Sequence, residues 1–118
     1  MTSQEKAKKI ASILDEKKGK KIAILKVENE TVITDYFVIA TATSSTHLKA
    51  LCDEVAFKLR EEDEITVVRT EGYSGGGWIL MDYSDVIVHI FDSEARSFFN
   101  LEKLWNGAEN IEFECKED

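Results

Sequence analysis

The sequence predicts one α/β domain of the α+β kind, built on a mixed five-stranded sheet with flanking helices. The chain has 118 residues, 43% of them hydrophobic, which suits one compact domain with a single core. Segments of helical period alternate with short β-branched and aromatic runs in the order α-β-β-α-β-β-β-α, and this order implies a mixed sheet that carries helices. The sequence contains no proline, repeat or linker that would divide it. We therefore expect a domain over residues 1–107 and a loosely held C-terminal tail over residues 108–118.

The N-terminal part predicts a helix followed by two strands. Thr2 and Glu5 fit a capping box at the start of an amphipathic helix, and Gly19 is typical of its end. The runs IAILKV (22–27) and DYFVIATA (35–42) have the β-branched and aromatic composition of strands. The second run is almost free of polar residues, so we expect it to be central in the sheet.

A long helix and a third strand follow. Ser44 or Ser45 is a suitable N-cap for a helix over residues 45–63. Apolar residues recur along one face of this helix at positions Leu48, Leu51, Cys52, Val55 and Leu59. The run ITVVRTE (65–71) predicts the third strand.

The stretch GGGWILMDYSDVIVHIF (75–91) predicts a β hairpin whose two-residue loop is Ser84-Asp85. In that register Trp78 faces Phe91, Leu80 faces His89, and Met81 faces Val88. One face is almost wholly apolar and should be core: Ile79, Met81, Tyr83, Val86, Val88 and Ile90. The other face combines an acid and an imidazole with large apolar groups: Trp78, Leu80, Asp82, Ile87, His89 and Phe91. An ionised acid is costly to bury without a partner, so we expect this second face to reach solvent or another protein.

A last helix is predicted after the hairpin. Asp92 or Ser93 can cap it, and it should run through FFNLEKLW and end near Gly107. We expect its apolar residues to belong to the core: Phe98, Leu101, Leu104 and Trp105.

The charge distribution favours a basic protein as partner. Residues 1–26 contain eight lysines and three acids, whereas residues 27–118 contain seven basic residues and 20 acids. An acidic body repels nucleic-acid backbones and attracts basic protein surfaces, so direct duplex binding is disfavoured. The partner of the Lys-rich N-terminal segment stays open.

The sequence indicates a cytoplasmic protein. Cys52 and Cys115 lie far apart without a framework spacing, so no disulfide is expected. No apolar run approaches the ~20 residues of a membrane span, and the first residues do not have the pattern of a signal or transit peptide.

Several segments together resemble the ribosomal silencing factor family, RsfS, also called the Iojap family. They are DYFVIATATSSTHLKALCDEV, the Glu71-Gly72 pair, WILMDYSDVIVHIF, and the pattern from Arg96 to Trp105 that ends in LEKLW. The resemblance covers roughly residues 5–105. It implies a fold similar to that of nucleotidyltransferases and a non-catalytic protein without a cofactor.

The resemblance also implies a mechanism. Such a protein binds the large ribosomal subunit through a basic ribosomal protein on the intersubunit face, prevents the small subunit from joining, and so represses translation when nutrients are scarce. Members tend to be homodimers. The family's partner-binding surface corresponds to the second hairpin face and its turn, namely Trp78, Leu80, Asp82, Ser84, Asp85 and His89. Two departures stand out: Ser84 replaces the glycine usual at the turn, and the loop before Trp78 is unusually rich in glycine.

The alternative is a nucleotidyltransferase-like enzyme or nucleotide-binding protein. Such enzymes use a Gly-Ser segment and two acids spaced D-x-D on one strand, which places both carboxylates on one metal. This chain offers TATSS (41–45) and the spacing D-Y-S-D from Asp82 to Asp85. A spacing of three on a strand points the two carboxylates to opposite faces, so we expect no metal site there.

The remaining polar residues favour structural roles. His47 lies in the first turn of a helix, where a capping or exposed histidine is expected, and Cys52 lies on an apolar face. The two histidines and two cysteines have no zinc-like spacing. A strand, not a helix, follows Gly75 to Gly77, so a mobile loop is expected instead of a phosphate cradle.

Overall fold

The structure, a computed structural model, describes residues 1–29, 31, 33–105 and 107–113. Its helices are α1 (Ser3–Glu16), α2 (Ser45–Asp63), α3 (Ser93–Phe98) and α4 (Leu101–Leu104). Its strands are β1 (Lys20–Lys26), β2 (Tyr36–Ala42), β3 (Arg69–Glu71), β4 (Trp78–Asp82), β5 (Val86–Asp92) and β6 (Glu109–Asn110). Cys115 lies outside the described residues.

The strands form one mixed sheet in the order β3-β4-β5-β2-β1-β6. β2 and β5 are parallel, and the other neighbouring strands are antiparallel. The mixed α/β architecture is confirmed, but the sheet has six strands, not five. The additional strand β6 pairs with the end of β1 and lies inside the segment predicted as a tail. Two residues, Glu109 and Asn110, carry no β-strand composition that a sequence pattern could detect.

The sheet separates two apolar clusters. α1 and α2 pack on one face, which we call the inner face, over buried residues that include Ile24, Val38, Met81 and Val88. On the other side, the outer face, a smaller cluster contains Leu25, Val27, Phe37, Ile39, Ile87 and Phe91, with Leu101 and Trp105 packed against it. β2 is buried along its whole length, as expected for a central strand.

The hairpin has the predicted register. Trp78 pairs with Phe91, Leu80 with His89, and Met81 with Val88, so the side chains of each pair share one face. Ile79, Met81 and Ile90 are fully buried under the helices. The assignment of the apolar face to the core is confirmed.

The helix caps agree with the prediction at the N-termini. Thr2 and Glu5 form the capping box of α1 in both directions, and Ser44 accepts the N–H of His47 at the start of α2. The predicted single last helix is instead two short helices, because the chain leaves the helix at Phe99 and Asn100 caps α4. The third strand is also shorter than predicted, residues 69–71 instead of 65–71.

Cys52 is a buried residue of the inner cluster, as predicted. Burial of the thiol raises its pKa to about 11, so the sulfur is protonated at neutral pH. None of the helices in the described part of the chain has the length and apolarity needed to cross a membrane.

Candidate partner-binding surface

The exposed part of the outer face lies along β4. Trp78, Leu80 and Asp82 alternate with buried neighbours and are each partly accessible. Trp78 and Leu80 border a shallow depression of about 180 Å³, which Glu71 and Gly72 complete from the β3 side. β4 is held on both sides, by β3 and by β5, so these side chains project from a fixed backbone. Together with the exposed Ser84 and the partly accessible Asp85 at the hairpin turn, they are the part of the predicted surface that a partner can reach.

Trp78 is supported from below by aromatic side chains. Its ring centroid lies 4.7 Å from that of Phe99 and 5.4 Å from that of Phe91. The indole Nε1 donates a hydrogen bond to Nδ1 of His89 at 3.2 Å. Packing and hydrogen bonding therefore orient the indole, which lowers the entropy cost of its use as a binding anchor.

His89 supports Trp78 from beneath the surface. Its side chain is only 5% exposed, so the prediction that it lies on the accessible surface is wrong. Burial lowers the pKa of the imidazole to about 4, which keeps the ring neutral at physiological pH. Because Nδ1 accepts from Trp78, the ring proton belongs on Nε2, which has no hydrogen-bond partner among the described residues.

The buried His89 should make the fold sensitive to acid. The imidazole titrates near 6.5 when unfolded and near 4 when folded, so the unfolded chain binds more protons below pH 6.5. The stabilisation is complete above pH 6.5 and is lost as the pH falls toward 4, by roughly 3 kcal/mol in the limit. Urea unfolding at pH 7 and at pH 4.5 should show this loss, and His89→Gln should make it smaller. An equal loss in both proteins would contradict this role of His89.

The rest of the outer face is covered by the α3–α4 segment. Phe91 is fully buried and Ile87 is nearly so, because Ala95, Leu101 and Trp105 pack over this side of the sheet. The prediction that the whole second face reaches solvent is therefore wrong. Asp82 is partly accessible and lies 3.6 Å from Arg69, so its charge is neither fully buried nor unpaired.

The α3–α4 segment has an exposed apolar side of its own. Phe98 is 80% exposed and Leu104 is 71% exposed, which contradicts the prediction that both belong to the core. They line a depression of about 550 Å³ together with Phe99, Leu101 and Lys103. The spacing of the apolar residues does not predict this exposure. It assumes one continuous helix, whereas the helix is interrupted at Phe99 and Asn100.

The negative charge of the acids near β4 is partly compensated by Arg69, which the sequence pattern does not single out. Arg69 lies between two carboxylates, 2.6 Å from Glu71 and 3.6 Å from Asp82. The three side chains together carry a net charge of one negative unit. The negative potential at this edge is therefore weaker than the acids alone would give.

The hairpin turn is bound to α1. Asp85 accepts hydrogen bonds from Lys6 Nζ at 2.6 Å and from Ser3 Oγ at 2.7 Å. Partial burial of the carboxyl raises its pKa, but the bonds from Lys6 and Ser3 lower it by more, so the net pKa is below the ordinary value. Ser84 has a positive φ of 77°, and its N–H donates to Asp82 Oδ1 at 2.7 Å. Asp85 thus has partners inside the domain.

The residues considered for a nucleotidyltransferase-like enzyme lie in two places, at the hairpin turn and beside a crevice. Asp85 is held by α1, while Asp82 accepts from the turn, so the two carboxylates serve different partners. A crevice of about 520 Å³ lies beyond the carboxyl ends of β2 and β5, lined by residues 43–45, 73–77 and 92–94 among others. In the described ranges, no three His, Cys, Asp or Glu side chains are grouped as metal ligands. The charged residues of its lining are Asp92, Glu94 and Lys49, which together carry one formal negative charge.

Comparison with known proteins gives a consistent result. The family model described as "Ribosomal silencing factor during starvation" matches residues 1–118. The chain is 34% identical over 114 residues to the ribosomal silencing factor RsfS of Halalkalibacterium halodurans, with 97% of each chain covered. It is 31% identical over 98 residues to a mouse protein named "Mitochondrial assembly of ribosomal large subunit protein 1", covering 81% of this chain and 43% of the mouse protein.

The fold has a counterpart among solved structures. A crystal structure of a protein from Chromobacterium violaceum superposes with a TM-score of 0.85 at 32% sequence identity. The match covers 99% of this chain and 98% of the other. The similarity therefore extends over the hairpin, the α3–α4 segment and both faces of the sheet.

Proposed function

Because this chain belongs to the ribosomal silencing factor (RsfS) family, we propose that it binds the large ribosomal subunit and prevents the small subunit from joining. The docking site is a basic ribosomal protein on the intersubunit face, and the effect is repression of translation when nutrients are scarce. The protein acts in the cytoplasm without catalysis and without a cofactor. The name of the mouse relative, which refers to the large ribosomal subunit, supports the choice of subunit.

One structural observation carries the proposal: the half-exposed Trp78 and Leu80 next to a small depression on a fixed strand. Aromatic residues oriented before binding are the side chains that most often dominate protein interfaces. Asp82 continues the same row and supplies a negative charge at its end. These three residues, with Ser84 and Asp85 at the turn and His89 beneath Trp78, form the docking surface in the proposed function.

Sedimentation with separated ribosomal subunits tests the proposal. The purified protein should move with large subunits, and adding it before the small subunits should reduce the amount of assembled ribosomes. Bovine serum albumin at equal concentration serves as the negative control. Movement with the small subunit alone would contradict the proposal.

We expect the charges beside β4 to set the association rate. Asp82→Asn removes a negative charge and should slow association with the basic partner, whereas Arg69→Gln leaves the two acids uncompensated and should accelerate it. Each effect should be about twofold to threefold at ~0.05 M salt and should vanish near ~0.5 M. Stopped-flow or surface-plasmon measurements would give the rates. Changes in the same direction for both variants would contradict an electrostatic role.

The proposed function includes a homodimer when the protein is free. The exposed Phe98 and Leu104, which lie close together on the α3–α4 segment, are apolar groups available for a second copy. Sedimentation velocity should show a dimer that Phe98→Ser with Leu104→Ser converts to a monomer. A monomeric mass of the unmodified protein at all concentrations would rule the dimer out.

A further inference from the structure

The end of α1, the turn that follows it and the first two residues of β1 carry four exposed lysines that the docking surface does not use. The sequence of this segment is KKGKK (17–21), and we call it the lysine turn. Lys17, Lys18, Lys20 and Lys21 are all exposed, although the chain as a whole has a net charge of −8. Such a group of positive charges can attract a polyanion locally, although the acidic protein as a whole repels it.

The backbone of the lysine turn is fixed by hydrogen bonds. Lys18 N donates to Asp15 O at 3.0 Å and Gly19 N to Leu14 O at 2.8 Å, which is the Schellman arrangement at the end of a helix. Gly19 is buried, and a Cβ at this position would lie 2.9 Å from the carbonyl oxygen of Leu14. The lysines therefore project from an ordered backbone.

His47 attaches the same turn to the start of α2. Its Nε2 bonds to the carbonyl oxygen of Lys17 at 2.8 Å, so Nε2 is the donor. Its Nδ1 accepts the N–H of Thr43 at 2.9 Å. The histidine that the sequence assigned to capping or exposure thus connects the start of α2 to the end of α1.

Two of the lysines occupy backbone conformations that do not favour lysine. Lys18 has φ 70° and Lys21 has φ 47°, in the left-handed region where glycine or asparagine costs less. Lys18 stands at the helix position where glycine is most common. Backbone strain of this kind is concentrated at functional sites. The presence of lysine at both positions therefore favours a role for the charge.

Two of the four lysines carry a charge that the described part of the domain does not neutralise. In the part of the chain that the structure describes, no carboxylate forms an ion pair with Lys20 or Lys21. The positive charge of these two lysines is available to an external partner.

The lysine turn and Trp78 of the docking surface lie at the same end of the strands. Across the sheet, Trp78 pairs with Phe91, Phe91 with Thr41, and Thr41 with Lys20. These four residues form one lateral row, and three strand spacings separate its ends by about 14 Å. Phe91 and Thr41 are buried, and Arg96 of α3 bonds to Thr41. A partner docked on Trp78 therefore reaches the lysines only if it extends past the α3–α4 segment.

We propose that the lysine turn contacts the phosphate backbone of ribosomal RNA beside the docked ribosomal protein. The inference rests on the proposed function, because the acidic body opposes binding to RNA without prior docking. The protein surface at β4 then selects the site, and Lys20 and Lys21 of the lysine turn add a second contact that depends on salt but not on base sequence.

The test compares two double variants with the same change in charge. Lys20→Gln with Lys21→Gln alters the lysine turn, and Lys8→Gln with Lys26→Gln alters α1 and the far end of β1. Affinity for purified large subunits is measured between ~0.1 and ~0.5 M KCl. Loss of two phosphate contacts should reduce the slope of log affinity against log salt by about 1.4 to 1.8. At ~0.1 M this weakens binding by about 25-fold to 60-fold, if the contribution vanishes near ~1 M. The control pair should behave as the unmodified protein.

Each outcome decides a separate point. Unchanged affinity and slope in the lysine-turn variant, or equal losses in both pairs, would overturn the RNA contact and leave the proposed function standing. No binding of the unmodified protein to large subunits would overturn both.

Ultraviolet irradiation of the bound complex should cross-link the protein to RNA, and the yield should be lower for the lysine-turn variant. A loss of affinity with no RNA cross-link would assign the lysines to an acidic protein and overturn the RNA assignment.

Discussion

Replacement of Trp78 by alanine is expected to weaken binding to the large ribosomal subunit by about 2 kcal/mol or more, which is about thirtyfold. The indole is the largest apolar group at the docking surface, and Phe91, Phe99 and His89 orient it before binding. Its removal takes away the anchor of the contact. Affinity for purified large subunits, measured by sedimentation at constant salt, is the direct readout.

The same substitution should also cost stability, since Trp78 is half-buried. It removes ring packing and leaves Nδ1 of the buried His89 without its donor, a loss of about 2 kcal/mol. Ile79→Ala is the matched control because Ile79 is fully buried on the inner face. It should cost a similar ~2–4 kcal/mol of folding free energy and leave binding unchanged well below the melting temperature. If both variants lose affinity in proportion to their stability, Trp78 is a core residue and not an anchor.

A lysine in place of Met81 is expected to prevent folding. Met81 is fully buried in the middle of β4 and faces the layer formed by α1 and α2. An ammonium group there has no counter-charge on its face of the strand, and the substitution should cost about 5 kcal/mol or more. The whole stability of a domain of this size is on the order of 5–15 kcal/mol. Circular dichroism should show an unfolded or aggregated chain.

Leu80→Lys provides the comparison one residue away. Leu80 points to the outer face and is partly exposed, so a lysine can place its ammonium group in water along the apolar surface. We expect a folded protein with a loss below about 2 kcal/mol and with weaker ribosome binding. If Leu80→Lys unfolds the protein and Met81→Lys does not, the assignment of the core and accessible faces of the hairpin is wrong.

The local pattern of the sequence was sufficient for most of the elements. Alternation with period two assigned Ile79 and Met81 to the core and Trp78 and Leu80 to the opposite face, whatever packs on that face. The capping box at Thr2 and the N-cap at Ser44 were equally readable, because a cap depends on residues within one turn. The same holds for the hairpin register, since the two-residue loop fixes which residues oppose each other.

Burial on the outer face was decided by tertiary structure alone. His89 and Trp78 share that face, yet His89 is buried and Trp78 is partly accessible. The reason is that the α3–α4 segment packs over β5 and leaves part of β4 uncovered. Strand alternation states which side a residue points to, but not what covers that side. The pairing of Asp85 with Lys6, separated by 79 residues, and the hold of His47 on the lysine turn depend in the same way on long-range packing. The sequence by itself therefore determined α1, α2, the strands β1, β2, β4 and β5, and the facing of the hairpin side chains. Tertiary packing decided the break between α3 and α4, the pairing of β6, and which of the hairpin side chains a partner can reach.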